Sequence, residues 1–174
     1  EKEALLLPLS KKDRRDVDPD ILREALALTR GYAAGRDDLF YPYIVCPRVF
    51  NEPLRLCRRF ILETLSQEQK AAFRGDPMEI WRYIGREIGF DESIEYGQIV
   101  TGPVGALTVK NASPLSKKIL FVSICRTLGV AARMNPVDRR AEYWADGRFT
   151  AVEAARREDC AVVFEKEDGE SWQY

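Results

Sequence analysis

Leu115-Ser116-Lys117-Lys118-Ile119-Leu120-Phe121-Val122-Ser123-Ile124-Cys125-Arg126-Thr127-Leu128-Gly129-Val130-Ala131-Ala132-Arg133 is the stretch on which the fold of this chain turns. Between Ser116 and Leu128 the apolar residues Ile119, Leu120, Phe121, Val122, Ile124, Cys125 and Leu128 occupy so broad a face that the helix must be covered on most sides. Gly129 ends it. A central buried helix over 116–128 is therefore predicted. After it, Val130 to Met134, Ala141 to Ala145, Arg148 to Val152 and Cys160 to Phe164 read as consecutive antiparallel strands. Pro136, Asp146-Gly147 and a charged loop from Arg156 to Asp159 separate them. Asp146-Gly147 between two short strands is the signature of a two-residue hairpin turn.

Upstream the pattern is helical. Asp18-Pro19 places a capping carboxylate before a proline at the first helical position, and Ile21, Leu22, Ala25, Leu26 and Leu28 follow at helical spacing. Tyr41-Pro42 and Cys46-Pro47 predict a loop. Asn51 is read as the cap of a helix whose stripe is Leu54, Cys57, Ile61 and Leu65, with Arg55, Arg58 and Arg59 on a solvated flank. Ser66 with Gln69 predicts a capping box, and Asp76-Pro77 restarts a helix through Ile80, Trp81, Tyr83, Ile84 and Ile88 to Gly89. From residue 93, Ile99-Val100, Val104 and Leu107-Val109 among Gly97, Gly102-Pro103 and Gly105 predict short extended pieces; these glycines spell no phosphate loop.

The class is α+β: a helical N-terminal half packed on an antiparallel sheet around one central helix. Residues 1–17 form a mixed lead-in in which Leu5 to Leu7 can pack and the alternating charges of Lys11 to Asp16 are solvated. Residues 18–165 form one domain, helical over 18–90, with the core helix and sheet at 113–165. Residues 166–174 open a linker or a further domain. A start without Met and an abrupt stop after Tyr174 predict a piece of a longer chain.

Composition removes several functions. The 174 residues carry 27 Lys and Arg against 28 Asp and Glu, a net charge of −1 that gives no field for nucleic acid. No segment has the length of apolar chain a membrane span needs. There is no histidine, which rules out imidazole-based catalytic triads and imidazole metal sites. Cys46, Cys57, Cys125 and Cys160 are too far apart for a CxxC motif and read as small buried hydrophobes that bind no metal. No cofactor is predicted. Asp91, Glu92 and Glu95 read as an ordinary acidic surface loop, and Tyr143-Trp144 as a candidate binding surface, because neighbours in a strand face opposite ways.

Residues 113–153 also resemble the core of transglutaminase-like domains. The helix running into Arg126-Thr127-Leu128-Gly129-Val130-Ala131-Ala132-Arg133 is similar to that family's R-x-L-G-I-P-A-R turn. Ala145-Asp146-Gly147-Arg148-Phe149 is similar to its v-d-G-k-W hairpin, and Val152-Glu153 to its closing v-D. Tyr43-Ile44-Val45-Cys46-Pro47-Arg48-Val49-Phe50-Asn51-Glu52, with Leu54 and Arg58-Arg59, resembles the helical lead-in of a bacterial branch. The resemblance implies a papain-like core and acyl transfer by a Cys, a His and an Asp. It places the three positions at Pro114, Asp138 and Glu153, so only an acid in the third place remains. The expectation is a catalytically inactive domain, a binding or scaffold module of a larger bacterial protein, in which Pro114 starts the helix, Ser113 or Ser116 caps it, and Glu153 meets an arginine or backbone donors. Arg126 and Arg133 are expected to bond loop carbonyls or Glu153. Ser113, Ser116, Tyr143 and Trp144 would line a groove for a protein, a peptide, a polysaccharide or other domains of the parent chain. The alternative is a hydrolase or acyltransferase pairing Ser113 or Ser116 with Lys117 or Lys118, or using carboxylates in that groove.

Overall fold

A computed structural model of the chain describes residues 2–33, 35–93, 100–153, 163–165 and 171–173. Helices α1 (Lys2–Leu6) and α2 (Lys11–Asp16) lead into α3 (Pro19–Thr29), a 3-10 turn (Arg30–Tyr32) and α4 (Asp37–Phe40), which continues into a π-helical turn (Tyr41–Val45). Then come α5 (Arg58–Thr64), α6 (Gln67–Gly75), α7 (Met78–Glu87), α8 (Pro103–Val109) and α9 (Pro114–Thr127). Strands β1 (Ala132–Met134), β2 (Ala141–Ala145) and β3 (Arg148–Ala151) form an antiparallel sheet in sequence order. The class is α+β, as the sequence predicts.

Helix α9 is the centre. Ile119, Leu120, Phe121, Val122, Ile124 and Cys125 are wholly buried, and α3, α5, α7, α8, the π turn, β1 and β2 all pack against the helix. Burying one such aliphatic or aromatic side chain contributes roughly 1.5–3 kcal/mol, so this helix holds the layers together. The sheet separates two apolar clusters. Tyr143 packs with Phe121 and the larger cluster of Ile61, Ile80, Ile84, Leu120 and Leu128. Its neighbour Trp144 packs with Phe149 and the second cluster of Ala25, Leu39, Phe40, Ile44 and Val45. Strand alternation thus covers the sheet on both faces. Asp146 (φ 51°) and Gly147 (φ 79°) are both left-handed, as the tight β2–β3 turn requires.

Capping follows the sequence at α3, where Asp18 accepts from the Asp20 N–H, and at α6, where Ser66 and Gln69 form the reciprocal box. Elsewhere the structure departs from the reading. Helix α5 begins only at Arg58, and Asn51 does not cap it; the Glu24 carboxylate of α3 instead accepts the N–H groups of Cys57, Arg58 and Arg59, each at 3.2 Å. Glu52, which an Asn51-capped helix would have carried, folds its carboxylate back onto the N–H groups of Val49 and Phe50. Gly102-Pro103 is a helix start and not a turn between extended pieces, with Gly102 as N-cap and Pro103 at the first position of α8. Residues 41–45 are helical because Pro42 sits in the first turn, where its missing N–H is tolerated.

The charged run Lys11 to Asp16 is a helix with a buried side, not a solvated lead-in. Asp13 is buried and takes Arg48 Nε at 3.0 Å and Nη2 at 2.5 Å, fastening α2 to the loop after the π turn. The fourth predicted strand does not join the sheet. Val163–Glu165 pairs antiparallel with Ser171–Gln173, which lies in the stretch read as a linker. Glu95, Gly97, Ile99, the Arg156 to Asp159 loop and Cys160 lie outside the described residues.

Two predictions follow the packing. Gly129 has φ +83°, and a Cβ there would stand 2.3 Å from the Tyr32 ring. Gly129→Ala should lower stability by at least about 2 kcal/mol in urea unfolding, and by only about 1 kcal/mol in a Tyr32→Ala background, where the backbone cost alone remains. Hydrogen bonds from Arg48 hold the Asp13 carboxyl below its ordinary range. An acid with a depressed folded pKa contributes stability above its unfolded pKa of about 3.9 and loses it as pH falls through the folded value. Asp13→Asn should therefore cost roughly 1–3 kcal/mol at pH 7, and the gap to the parent should close below about pH 4.

Candidate functional site

Helix α9 starts as the sequence predicts. Pro114 is its first residue, and Ser113 is the N-cap, its Oγ accepting the Ser116 N–H at 3.3 Å. Ser113 Oγ also donates to Ser116 Oγ at 3.0 Å, which in turn accepts the N–H of Thr101 at 3.0 Å. Both serines are buried, Ser116 completely. The segment leading into α8 is thereby fastened to the first turn of the helix, where Pro114 itself is exposed, and each hydroxyl serves an N–H.

The other two positions of the family pattern are separately engaged. Asp138 lies in the exposed β1–β2 connection, where it accepts the Arg140 N–H at 3.0 Å and Arg140 Nε at 2.7 Å. Glu153, just past β3, forms an ion pair with Lys118 of α9 at 2.8 Å. Its partner is thus a lysine one turn along from Pro114, not an arginine. Arg133 pairs with Glu142 at 2.7 Å, not with Glu153. Lys118, proposed as a base for serine, is held by this carboxylate instead. Asp91 accepts from the Ser93 N–H and Oγ, a local turn whose hydrogen bonds lower its pKa.

Tyr143 and Trp144 belong elsewhere. With Ala145 they line an open groove of about 480 Å³ at the far end of α9, next to Gly129, Val130 and Ala131. Ser113 and this groove are separated by the length of a 14-residue helix, roughly 20 Å at 1.5 Å per residue. The four residues predicted to share one groove thus fall at opposite ends of α9. Residues from α3–α4 and α6 complete the groove: Tyr32, Arg36, Leu39, Phe40, Ile44 and Arg74. Arg36 is held bidentate by Asp38, 2.9 Å on each arm, with its guanidinium carbon 5.8 Å from the Trp144 ring centre. Arg74 donates Nη2 to Tyr32 Oη at 2.9 Å and Nε to Leu128 O at 3.4 Å, and makes no ion pair among the described residues.

Sequence reasoning missed a buried arginine pair. Arg58, expected on a solvated flank, is 4 % exposed. It donates Nη2 to the carbonyls of Ile44 (2.6 Å) and Val45 (2.9 Å), and Nη1 to that of Arg126 (3.2 Å). Arg126 donates to the carbonyls of Ala132, Cys46 and Arg48, the loop-carbonyl role expected of it. Burial pushes the Arg58 pKa down to about 10, so it stays charged at neutral pH. With Glu24, Cys46 and Cys57 the two arginines surround a cavity of about 20 Å³, room for one water. Burial also raises the Cys57 thiol to about 11 and pushes Cys125 higher still.

No family model, no curated protein and no solved structure matches this chain. Among the described residues no group of three His, Cys, Asp or Glu side chains is placed to hold a metal, and no helix is long and apolar enough to cross a membrane.

The thiol environments give a direct test. At pH 7, Cys125 should resist a thiol reagent for as long as the fold persists, because it is wholly buried and protonated. Mass mapping after brief labelling should find it unmodified, and denaturant should release it at once.

Proposed function

We propose that this chain is a catalytically inactive transglutaminase-like domain that works as a binding module of a larger bacterial protein. The observation that carries the reading is the contrast between the two ends of α9. Where the family resemblance puts a nucleophile, the chain has Pro114, with Ser113 and Ser116 buried and engaged. At the other end an aromatic and aliphatic groove stands open between helices and sheet.

Two features support the transglutaminase-like reading, and the composition supports its inactivity. A central, mostly buried helix ends in Arg126-Thr127 and turns at Gly129 directly into an antiparallel sheet, and the tight Asp146-Gly147 hairpin joins the next two strands. The acid after β3 is tied by Lys118 to the first half of that helix. The chain has no histidine to turn a thiol or hydroxyl into a nucleophile at neutral pH. The remaining role is recognition, and a groove with an apolar floor and a few polar groups at its edge is the usual form of such a site.

The test has two arms. Titration of the ¹⁵N-labelled chain with a panel of short peptides and oligosaccharides should shift the indole resonance of Trp144 and leave the amides of Ser113 and Ser116 unmoved. No shift at Trp144 with any ligand would overturn the binding reading. Combining Pro114→Cys with Asp138→His should give no glutamine-amine transfer or peptide hydrolysis, because Asp138 lies in an exposed turn committed to Arg140 and an acyl-transfer site tolerates only about half an ångström of misplacement. Substantial turnover by that double variant would show that the inactive reading rests on two side chains alone.

A further inference from the structure

The groove beside Trp144 has a charge pattern that narrows its ligand, and the argument rests on the reading of this groove as the binding surface. Among the described residues its lining includes two arginines and no carboxylate, while Asp76, paired with Arg82, and Asp146 flank it next to Tyr143. The arginines are not equivalent. Both oxygens of Asp38 neutralise Arg36, on the Trp144 wall. Arg74, on the Tyr32 wall, meets only a hydroxyl and a carbonyl. Its described bonds use Nε and Nη2, which leaves Nη1 as a donor for a bound acceptor. The groove therefore offers one available positive charge in a lining shared with the apolar Leu39, Phe40 and Ile44.

One cation selects one anion. A polyanionic chain gains from a row of cations, and a neutral saccharide from many side-chain hydrogen bonds; this lining provides neither. A single carboxylate next to an apolar side chain matches both features. We propose that the groove captures the C-terminal residue of a peptide, with its α-carboxylate on Arg74 and an aromatic or aliphatic side chain over Leu39, Phe40 and Ile44 against Trp144. A C-terminal carboxylate is among the chain-end features that peptide-binding sites capture. A guanidinium suits it because its planar fork meets a carboxylate with two donors.

The experiment titrates the chain with N-acetyl-Gly-Gly-Gly-Phe as the free acid, with its C-terminal amide, and with the free acid ending in Gly, following the Trp144 indole resonance assigned through Trp144→Phe. The Phe acid should bind at least tenfold more tightly than either twin, and Arg74→Gln should remove its preference over the amide while Arg74→Lys retains part of it. Raising salt from 50 to 500 mM should weaken the acid and not the amide. The acid–amide comparison uses the unaltered chain, so it decides the matter even where an Arg74 variant folds poorly. Equal binding of acid and amide overturns the carboxylate assignment but leaves the groove as a binding surface. Shifts produced by chitotriose and by none of the peptides overturn the peptide class and again leave the groove. Silence of Trp144 toward every probe overturns this proposal and the binding reading together.

Discussion

Two guanidiniums buried beside one another constrain the middle of this molecule. Taking a charged arginine out of water costs several kcal/mol unless its donors are met, and Arg58 and Arg126 meet theirs mainly with backbone carbonyls. Those carbonyls belong to residues 44–48, to residue 132 at the start of the sheet and to α9 itself. The π-helical turn, helix α5, helix α9 and strand β1 are thereby joined through one polar cluster inside an apolar protein. Carbonyl acceptors also explain the irregular backbone between residues 41 and 50. A regular helix there would spend the same carbonyls on its own N–H groups.

What was legible in the sequence, and what was not, divides along local and tertiary lines. The apolar run in α9, Ser113-Pro114 at its start, the Ser66 box and the Asp146-Gly147 turn each depend on neighbours within a few residues, and each could be read from the string. Helix α5 could not, because the carboxylate at its first turn comes from Glu24, some 34 positions earlier. Nor could the burial of Arg58, whose flanking Arg55 and Arg59 are exposed and make all three look alike on a helical wheel. Gly102-Pro103 misled for a different reason: glycine before proline marks a turn and a helix start equally well, and the packing of α8 against α9 decides between them.

The candidate site shows the same division. Pro114 and its capping serine are legible as a helix start, since a helix terminus is a local object. Tyr143 and Trp144 were recognised as surface candidates, yet strand alternation alone does not say which end of a neighbouring helix a strand reaches. Here β2 brings its last residues to the C-terminal end of α9, where Tyr32 covers Gly129 and Arg74 reaches Leu128 O. The open surface is therefore assembled from four separate segments of the chain, and no short motif marks it.

Helix α5 has only seven residues, and among the described residues the carboxylate on its first N–H groups is that of Glu24. Nucleating so short a helix alone is unfavourable, so its formation waits on the docking of α3. Helix α5 in turn supplies Arg58, which holds the carbonyls of residues 44 and 45. Order in the first forty-five residues and order in the middle of the chain are consequently mutual conditions, each incomplete without the other. Arg126 of α9 holds the carbonyls of residues 46 and 48 in the same way, so during synthesis the polypeptide between residues 41 and 64 acquires its shape only after α9 has left the ribosome. A cut at a surface loop between α3 and α9 would sever a condition for folding and not merely a tether.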